Sequence, residues 1–159
     1  FECVTMEEPP SWTPDVFTGL HLAHINPDTA FRKVAASEHS VYVPVHNCYD
    51  NNLTLDSDWT KVAAEAAAAI RQILNKPEVR RVHLALNAPL PIAMALGMSL
   101  GIHVAVSCYN YFTPEGRYAR VLDIDKLRDL RIGNPVTNRL NRVPIAEAVG
   151  EGLTESFLD

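Results

Sequence analysis

The chain has 159 residues, of which 47% are apolar and 21% charged. That is enough for one ordinary domain with a buried core, and it excludes a wholly disordered chain. Lys and Arg number 14 against 19 Asp and Glu, a net charge of −5. That balance excludes broad phosphate neutralisation along duplex DNA and leaves room for one small anion in a local pocket.

Residues 1–37 read as a lead-in segment that packs on the domain. Pro9, Pro10, Pro14 and Pro27 punctuate it, while Trp12, Phe17 and Leu20 give scattered apolar anchors. Only its end is regular: Asp28 as N-cap, then Ala30, Phe31, Val34 and Ala35 at helical spacing, predict a short helix over 28–37. Residues 40–45 are β-rich, and Pro44 predicts an edge strand or a strand end. A polar loop over 46–52 follows. The clearest helix starts at Trp59, capped by Asp58, with Val62, Ala63, Ala66, Ile70 and Ile73 on one face; Asn75 and Pro77 end it. Residues 81–86 read as a buried strand. Asn87 to Pro91 is a turn into a second helix that closes at Gly101, proline being tolerated at a first helical position. A third strand is expected over 102–109, a turn at Thr113–Gly116, and a returning strand from Tyr118 to Ile124. Past Leu127 the pattern weakens, with a short helix expected between Ile145 and Leu153.

Strands separated by helices of these lengths predict an α/β fold: an open parallel sheet flanked by helices, with a C-terminal β-hairpin. The sheet core is expected over 38–126 and a C-terminal extension over 127–159. The uncharged run from Leu84 to Ile102 is long enough for a membrane helix, but Asn87, Pro89, Pro91, Gly97 and Gly101 divide it into strand, turn and helix, so no membrane span is expected. Cys3, Cys48 and Cys108 fit neither a disulfide framework nor a zinc spacing, which points to a reducing, cytoplasmic compartment. No signal peptide is visible, and a start at Phe1 rather than Met reads as part of a longer protein.

Ligands of open parallel sheets sit beyond the carboxyl ends of the strands. That rule selects His46, Asn47, Cys48 and Tyr49 after the first predicted strand, Asn87, Ala88, Pro89 and Leu90 after the second, and Tyr109, Asn110, Tyr111 and Phe112 after the third. The middle segment opens a helix, whose free N–H groups favour an anion. The outer segments offer aromatic rings for stacking and amides for reading a base edge. The same rings also suit a partner surface. Arg80 and Arg81 read as solvent-facing. His83 and His103 read as strand histidines of the core or the layer behind it.

Catalytic signatures are sparse. There is no G-x-G-x-x-G, no P-loop and no G-x-S-x-G elbow. His21 and His24 lack further ligands at metal spacing, so no metal is expected. Catalysis is not expected in this segment.

The run Val82-His83-Leu84-Ala85-Leu86-Asn87-Ala88-Pro89, the following Ile92-Ala93-Met94-Ala95-Leu96-Gly97, then Val104-Ala105-Val106 with Tyr109-Asn110-Tyr111, all behind an alanine-rich helix opened by Trp59, resembles the SAVED domain of bacterial antiviral signalling systems (CBASS and type III CRISPR). The resemblance covers about residues 55–124. It implies a CARF-like, Rossmann-like unit that binds a cyclic oligonucleotide without needing a cofactor and switches a fused or associated effector through oligomerisation. A complete family sensor has two such halves, and this chain has room for one. A second half, another copy of the chain, and an effector domain or subunit are therefore the implied partners, with no duplex nucleic acid and no membrane. Two alternatives stay open: a protein–protein module that binds no nucleotide, and a small ring nuclease with His46 as its acid–base group.

Overall fold

The computed structural model describes residues 1–50 and 52–133. Contacts group Phe1–Asp125 as one unit and Lys126–Asp159 as another. The helix expected over 145–153 lies outside the described residues.

The first unit is built on six strands: β1 (Val4–Met6), β2 (Asp15–His21), β3 (Val41–Asn47), β4 (Arg81–Asn87), β5 (Val106–Phe112) and β6 (Arg117–Asp123). The helices are α1 (Asp28–Ser37), α2 (Trp59–Leu74), α3 (Leu90–Leu100) and α4 (Ile124–Gly133). They form an open α/β sheet of order β1-β3-β2-β4-β5-β6. The four middle strands run parallel, and antiparallel β1 and β6 close the two edges. Among the described residues no helix is long and apolar enough to cross a membrane.

The first segment is not the irregular lead-in expected, because it supplies two strands of the sheet. β2 lies at the centre of the sheet, between β3 and β4, and is buried from Val16 to His21. Its sequence hides this because two of its inward positions are not apolar. Thr18 is accommodated by donating its hydroxyl hydrogen to Val43 O at 2.6 Å. Gly19 is required by crowding: a Cβ there would lie 2.1 Å from the Tyr42 hydroxyl and 2.8 Å from Asp28 Oδ1. β1 also comes from this segment. The backbone N–H groups of Cys3 and Val4 donate to Glu65 Oε2 on α2, at 2.7 and 2.9 Å, and hold it against β3.

β3 is not the edge that Pro44 suggested. Pro44 O accepts from Glu7 N, just past the last β1 pair at Met6–Val45. The proline's missing N–H faces that same side, beyond the end of the ladder, so no bond is lost. β5 begins at Val106 rather than at Ile102. Its ladder starts opposite Val82, with Ala105 O accepting from Val82 N at 3.0 Å, so residues 102–104 precede the pairing, and His103 is exposed instead of buried. Arg81 is not solvent-facing: it makes a two-pronged pair with Asp125, at 3.0 and 2.7 Å, and a bond to Ser107 Oγ.

Helix ends follow local chemistry. Asp58 Oδ1 accepts from Lys61 N at 3.0 Å and caps α2. α3 starts behind Pro89 and closes at Gly101, whose φ of +70° suits glycine. At α1 the cap is Pro27, and Asp28 is already helical; its carboxylate is used elsewhere.

The two faces of the sheet are covered unequally. Val16, Leu20, Val43, Val45, Val82 and Leu84 pack under α2 and α3, where the alanines of α2 permit close approach. The opposite face carries a smaller cluster of Phe17, Phe31 and Ala85, ringed by Tyr42, Tyr109 and Tyr118. Among the described residues α1 is the helix that packs on it, and the β5–β6 side of that face is left open.

Candidate functional site

β2 leads through α1 to β3 on one side, whereas β4 leads through α3 to β5 on the other. The connections diverge between β2 and β4, which is where a parallel sheet opens a crevice. The register places His21 opposite Asn87 at that point, and Leu22 N donates to Asn87 O at 2.8 Å. His46 on β3 is the next residue in the same row, its ring centroid 5.1 Å from that of His21.

A cleft of about 1020 Å³ runs from these strand ends between α1 and the β5–β6 hairpin. Ile25 and Asn26, from the loop after β2, line it. α1 supplies Thr29 and Lys33, with Glu38 at its C-cap, and the sheet side is Asn87, Tyr109, Asn110 and Tyr111 of β4 and β5 with Arg117, Tyr118 and Arg120 of β6. Arg120 is held by Asp123, Nε to Oδ1 at 2.7 Å. Lys33 and Arg117 are exposed, and among the described residues no carboxylate pairs with either. The wall is therefore locally positive although the chain is acidic.

The aromatic floor is fixed from below. His83 stacks on Phe17 with centroids 4.3 Å apart and planes 7° off parallel. Its Nε2 lies 2.7 Å from Asp15 Oδ1 and its Nδ1 3.0 Å from the Tyr109 hydroxyl. Burial lowers the His83 pKa more than Asp15 raises it. The ring is thus neutral, donating from Nε2 to the carboxylate and accepting the Tyr109 O–H at Nδ1. Burial raises the pKa of Tyr109 and of Tyr118, so both phenols keep their protons. Tyr111 meets Tyr118 edge-on with centroids 5.2 Å apart, and Tyr118 packs on Phe31 at 5.2 Å.

The α1 wall is pinned at its start. Tyr42 donates its hydroxyl hydrogen to Asp28 Oδ1 at 2.6 Å, and His46 Nε2 lies 2.6 Å from Asp28 Oδ2. Burial, then the bond to Asp28, raises the Tyr42 pKa.

Of the residues selected by sequence, the cleft gathers Asn87, Tyr109, Asn110 and Tyr111. His46 shares the strand-end row but bonds Asp28. Asn47 is buried, and its Oδ1 accepts from Tyr49 N at 2.9 Å. Tyr49 packs toward α2, its hydroxyl accepting from Asp58 N at 3.2 Å. Ala88 packs on the α2–α3 side, Pro89 caps α3, and Leu90 projects outward, 72% exposed. Cys48 is an exposed free thiol. Sequence reasoning missed Asn26, Lys33, Arg117, Tyr118 and Arg120. The alternation over 118–124 announced the strand, but the face it presents depends on α1, whose place required β2.

Solved structures give the fold a context. That of the Acinetobacter baumannii Cap4 SAVED/CARF-domain containing receptor with the cyclic trinucleotide 2'3'3'-cAAA is similar with a TM-score of 0.64 and 14% identity. The same receptor with 3'3'3'-cAAA gives 0.59 and 14%. Each match covers 78% of this chain and 28% of the receptor, so the chain spans little more than a quarter of that protein's length. No curated protein matches the chain. The family described as the SMODS-associated and fused to various effectors sensor domain, SAVED, matches residues 8–124, taking in β2, α1 and β3 ahead of the segment that carried the resemblance. With most of its length so matched, the chain belongs to the SAVED family.

Proposed function

We propose that this chain is the cyclic-oligonucleotide-sensing part of a cytoplasmic antiphage-defence receptor and that its ligand lies in the cleft between α1 and the β5–β6 hairpin. The observation that carries this reading is the conjunction, at the strand ends of a sensor-family fold, of stacking rings, an amide at the switch point and two unpaired cations on facing walls. Tyr109 and Tyr111 stack on bases, Asn87 and Asn110 hydrogen-bond, and Lys33 and Arg117 hold phosphates. The acidic whole does not forbid this, because the field that matters is local. The test is a calorimetric titration of the protein with cyclic di-, tri- and tetranucleotides, the two cyclic triadenylates among them. Saturable binding of one ring size supports the reading. No binding by folded protein, alone or assembled, removes it.

Regulation of an effector requires a second surface. α3 carries no charge, and its outer side exposes Leu90, Met94 and Met98 (72, 59 and 82%) one turn apart. An apolar stripe of this kind marks an assembly surface, and it is the face on which we place a second sensor half or another copy of the chain. Loss of self-association or of partner capture in Met94→Glu, with nucleotide affinity kept, supports that assignment.

A further inference from the structure

The spacing of the three cysteines predicts no pairing, yet the fold brings two of them together at the sheet edge. β1 and β3 pair at Val4–Asn47, and just beyond that pair Cys48 N donates to Cys3 O at 2.9 Å. Cys3 and Cys48 therefore face each other across the two chains. Residues so bonded in an antiparallel pair stand about 5.5 Å apart at Cα, with their side chains on one side. That lies inside the roughly 4.4–6.8 Å that a disulfide spans. Both thiols are free; Cys3 is buried, its sulfur 3.8 Å from the Tyr49 hydroxyl, whereas Cys48 is exposed. The two groups also sense each other: desolvation first, then the charge of Cys3 and a hydrogen bond to it, raise the Cys48 pKa. Cys108 stands apart on β5, with β2 and β4 between it and β3.

We propose that Cys3 and Cys48 are a redox-active pair that closes as a disulfide and locks β1 onto β3. Disulfides of reducing compartments are mostly transient and redox-sensing. The pair therefore rests as two thiols and closes when a disulfide oxidant such as oxidised glutathione accumulates. The accessible thiol reacts first. Cys48 loses its proton and its sulfur attacks one sulfur of the oxidant; that S–S bond breaks, and the leaving thiolate takes up a proton. Cys3, now beside a mixed disulfide, loses its proton, attacks Cys48 Sγ and releases the second half of the oxidant as a thiol. Two protein thiols are oxidised and one disulfide is reduced to two thiols. What the bond changes is the grip on an edge strand. β1 has three residues, and its tie to α2 runs through Glu65, whose Oε2 accepts from Cys3 N and Val4 N. β1 in turn covers the edge of β3, whose backbone groups would otherwise be open to pairing with another chain. The disulfide makes that cover covalent.

The test incubates the folded protein with mixtures of reduced and oxidised glutathione, alkylates the remaining thiols in denaturant and maps the peptides by mass. A rising oxidised fraction is expected to link Cys3 to Cys48 within one chain, to leave Cys108 alkylated, and to be reversed by dithiothreitol. In Cys3→Ser, Cys48 is expected to accumulate as a mixed disulfide with glutathione; in Cys48→Ser, the buried Cys3 is expected to stay a free thiol. The bond closes a loop of about 45 residues, so oxidised wild type should melt about 5 °C or more above the reduced form, with no such shift in Cys48→Ser. Recovery of both Cys3 and Cys48 alkylated at the most oxidising ratio overturns the proposal. So does a link that forms between chains, involves Cys108 or appears only in urea. A link that leaves the melting temperature unchanged or lowers it overturns the lock on β1. Should Cys3→Ser not fold, wild type and Cys48→Ser, altered at an exposed position, still decide.

Discussion

Tyr42 reaches across β2 so closely that a Cβ on Gly19 would lie 2.1 Å from its hydroxyl oxygen. That single approach lets Tyr42 and Asp28 meet at 2.6 Å over the middle of the sheet and fixes where α1 starts. Gly19→Ala must push the phenol away or bend β2. We expect a loss of about 1–3 kcal/mol of stability, the usual cost of overpacking, together with weaker binding in the cleft. Urea unfolding and a titration of the same sample check both; an unchanged midpoint removes this account of Gly19.

Phe31 is the main anchor of α1, with rings of Phe17, Tyr109 and Tyr118 at 5.0–5.4 Å. Phe31→Ala empties the centre of the smaller core cluster. The expected cost is about 3–5 kcal/mol, large against the ~5–15 kcal/mol that stabilises an ordinary domain. Thermal unfolding measures it.

Lys33 and Arg117 are exposed and unpaired, so removing them takes away charge without disturbing the core. The double variant Lys33→Ala/Arg117→Ala is expected to stay within about 0.5 kcal/mol per site of wild-type stability. Its affinity for a cyclic oligonucleotide should fall about ten-fold or more, and wild-type binding should weaken with salt more steeply than that of the variant. Titrations at low and high salt provide the comparison. Equal salt slopes would take the phosphates away from these two residues.

Stability should depend on pH through His21 and His83. Burial depresses both folded-state pKa values below the ordinary 6.5. As pH falls, the unfolded chain takes up these protons first. The contribution is therefore complete above about pH 6.5 and is lost as pH drops through 6.5 toward the folded values. Each histidine adds at most about 1.4 kcal/mol per pH unit in that window. Unfolding midpoints between pH 8 and pH 5 follow the loss, and His21→Leu should flatten the curve relative to wild type. A midpoint that rises toward pH 5 would contradict the sign.

Legibility in the sequence tracked how directly a residue's neighbours are its sequence neighbours. The cap at Asp58, the alanine face of α2, the apolar run of β4 and the turn at Pro89 are local devices, and each is where the pattern placed it. The SAVED likeness lay in those same elements. β2 was illegible because Thr18 and Gly19 are explained only by Val43, Tyr42 and Asp28, which are distant in the chain. That omission carried over to the site. Without β2, the loop with Ile25 and Asn26 and the wall with Lys33 could not be placed, and all the strand ends looked alike. Tyr49 and Tyr109 are equivalent by the rule that ligands sit beyond strand ends, yet one faces α2 and the other faces the cleft. His103 shows the reverse limit, since an apolar run makes a strand only where a neighbouring strand reaches it.

The pairing of β5 with β4 stops at Ala85–Tyr109, whereas β5 and β6 stay paired to Phe112 and Arg117. Beyond that point the hairpin is a two-stranded arm, rooted at the bulge by Cys108 and Tyr109, facing a helix bolted down through Asp28. Compliance in the cleft is therefore one-sided. A ligand held between them is expected to move the arm more than the helix.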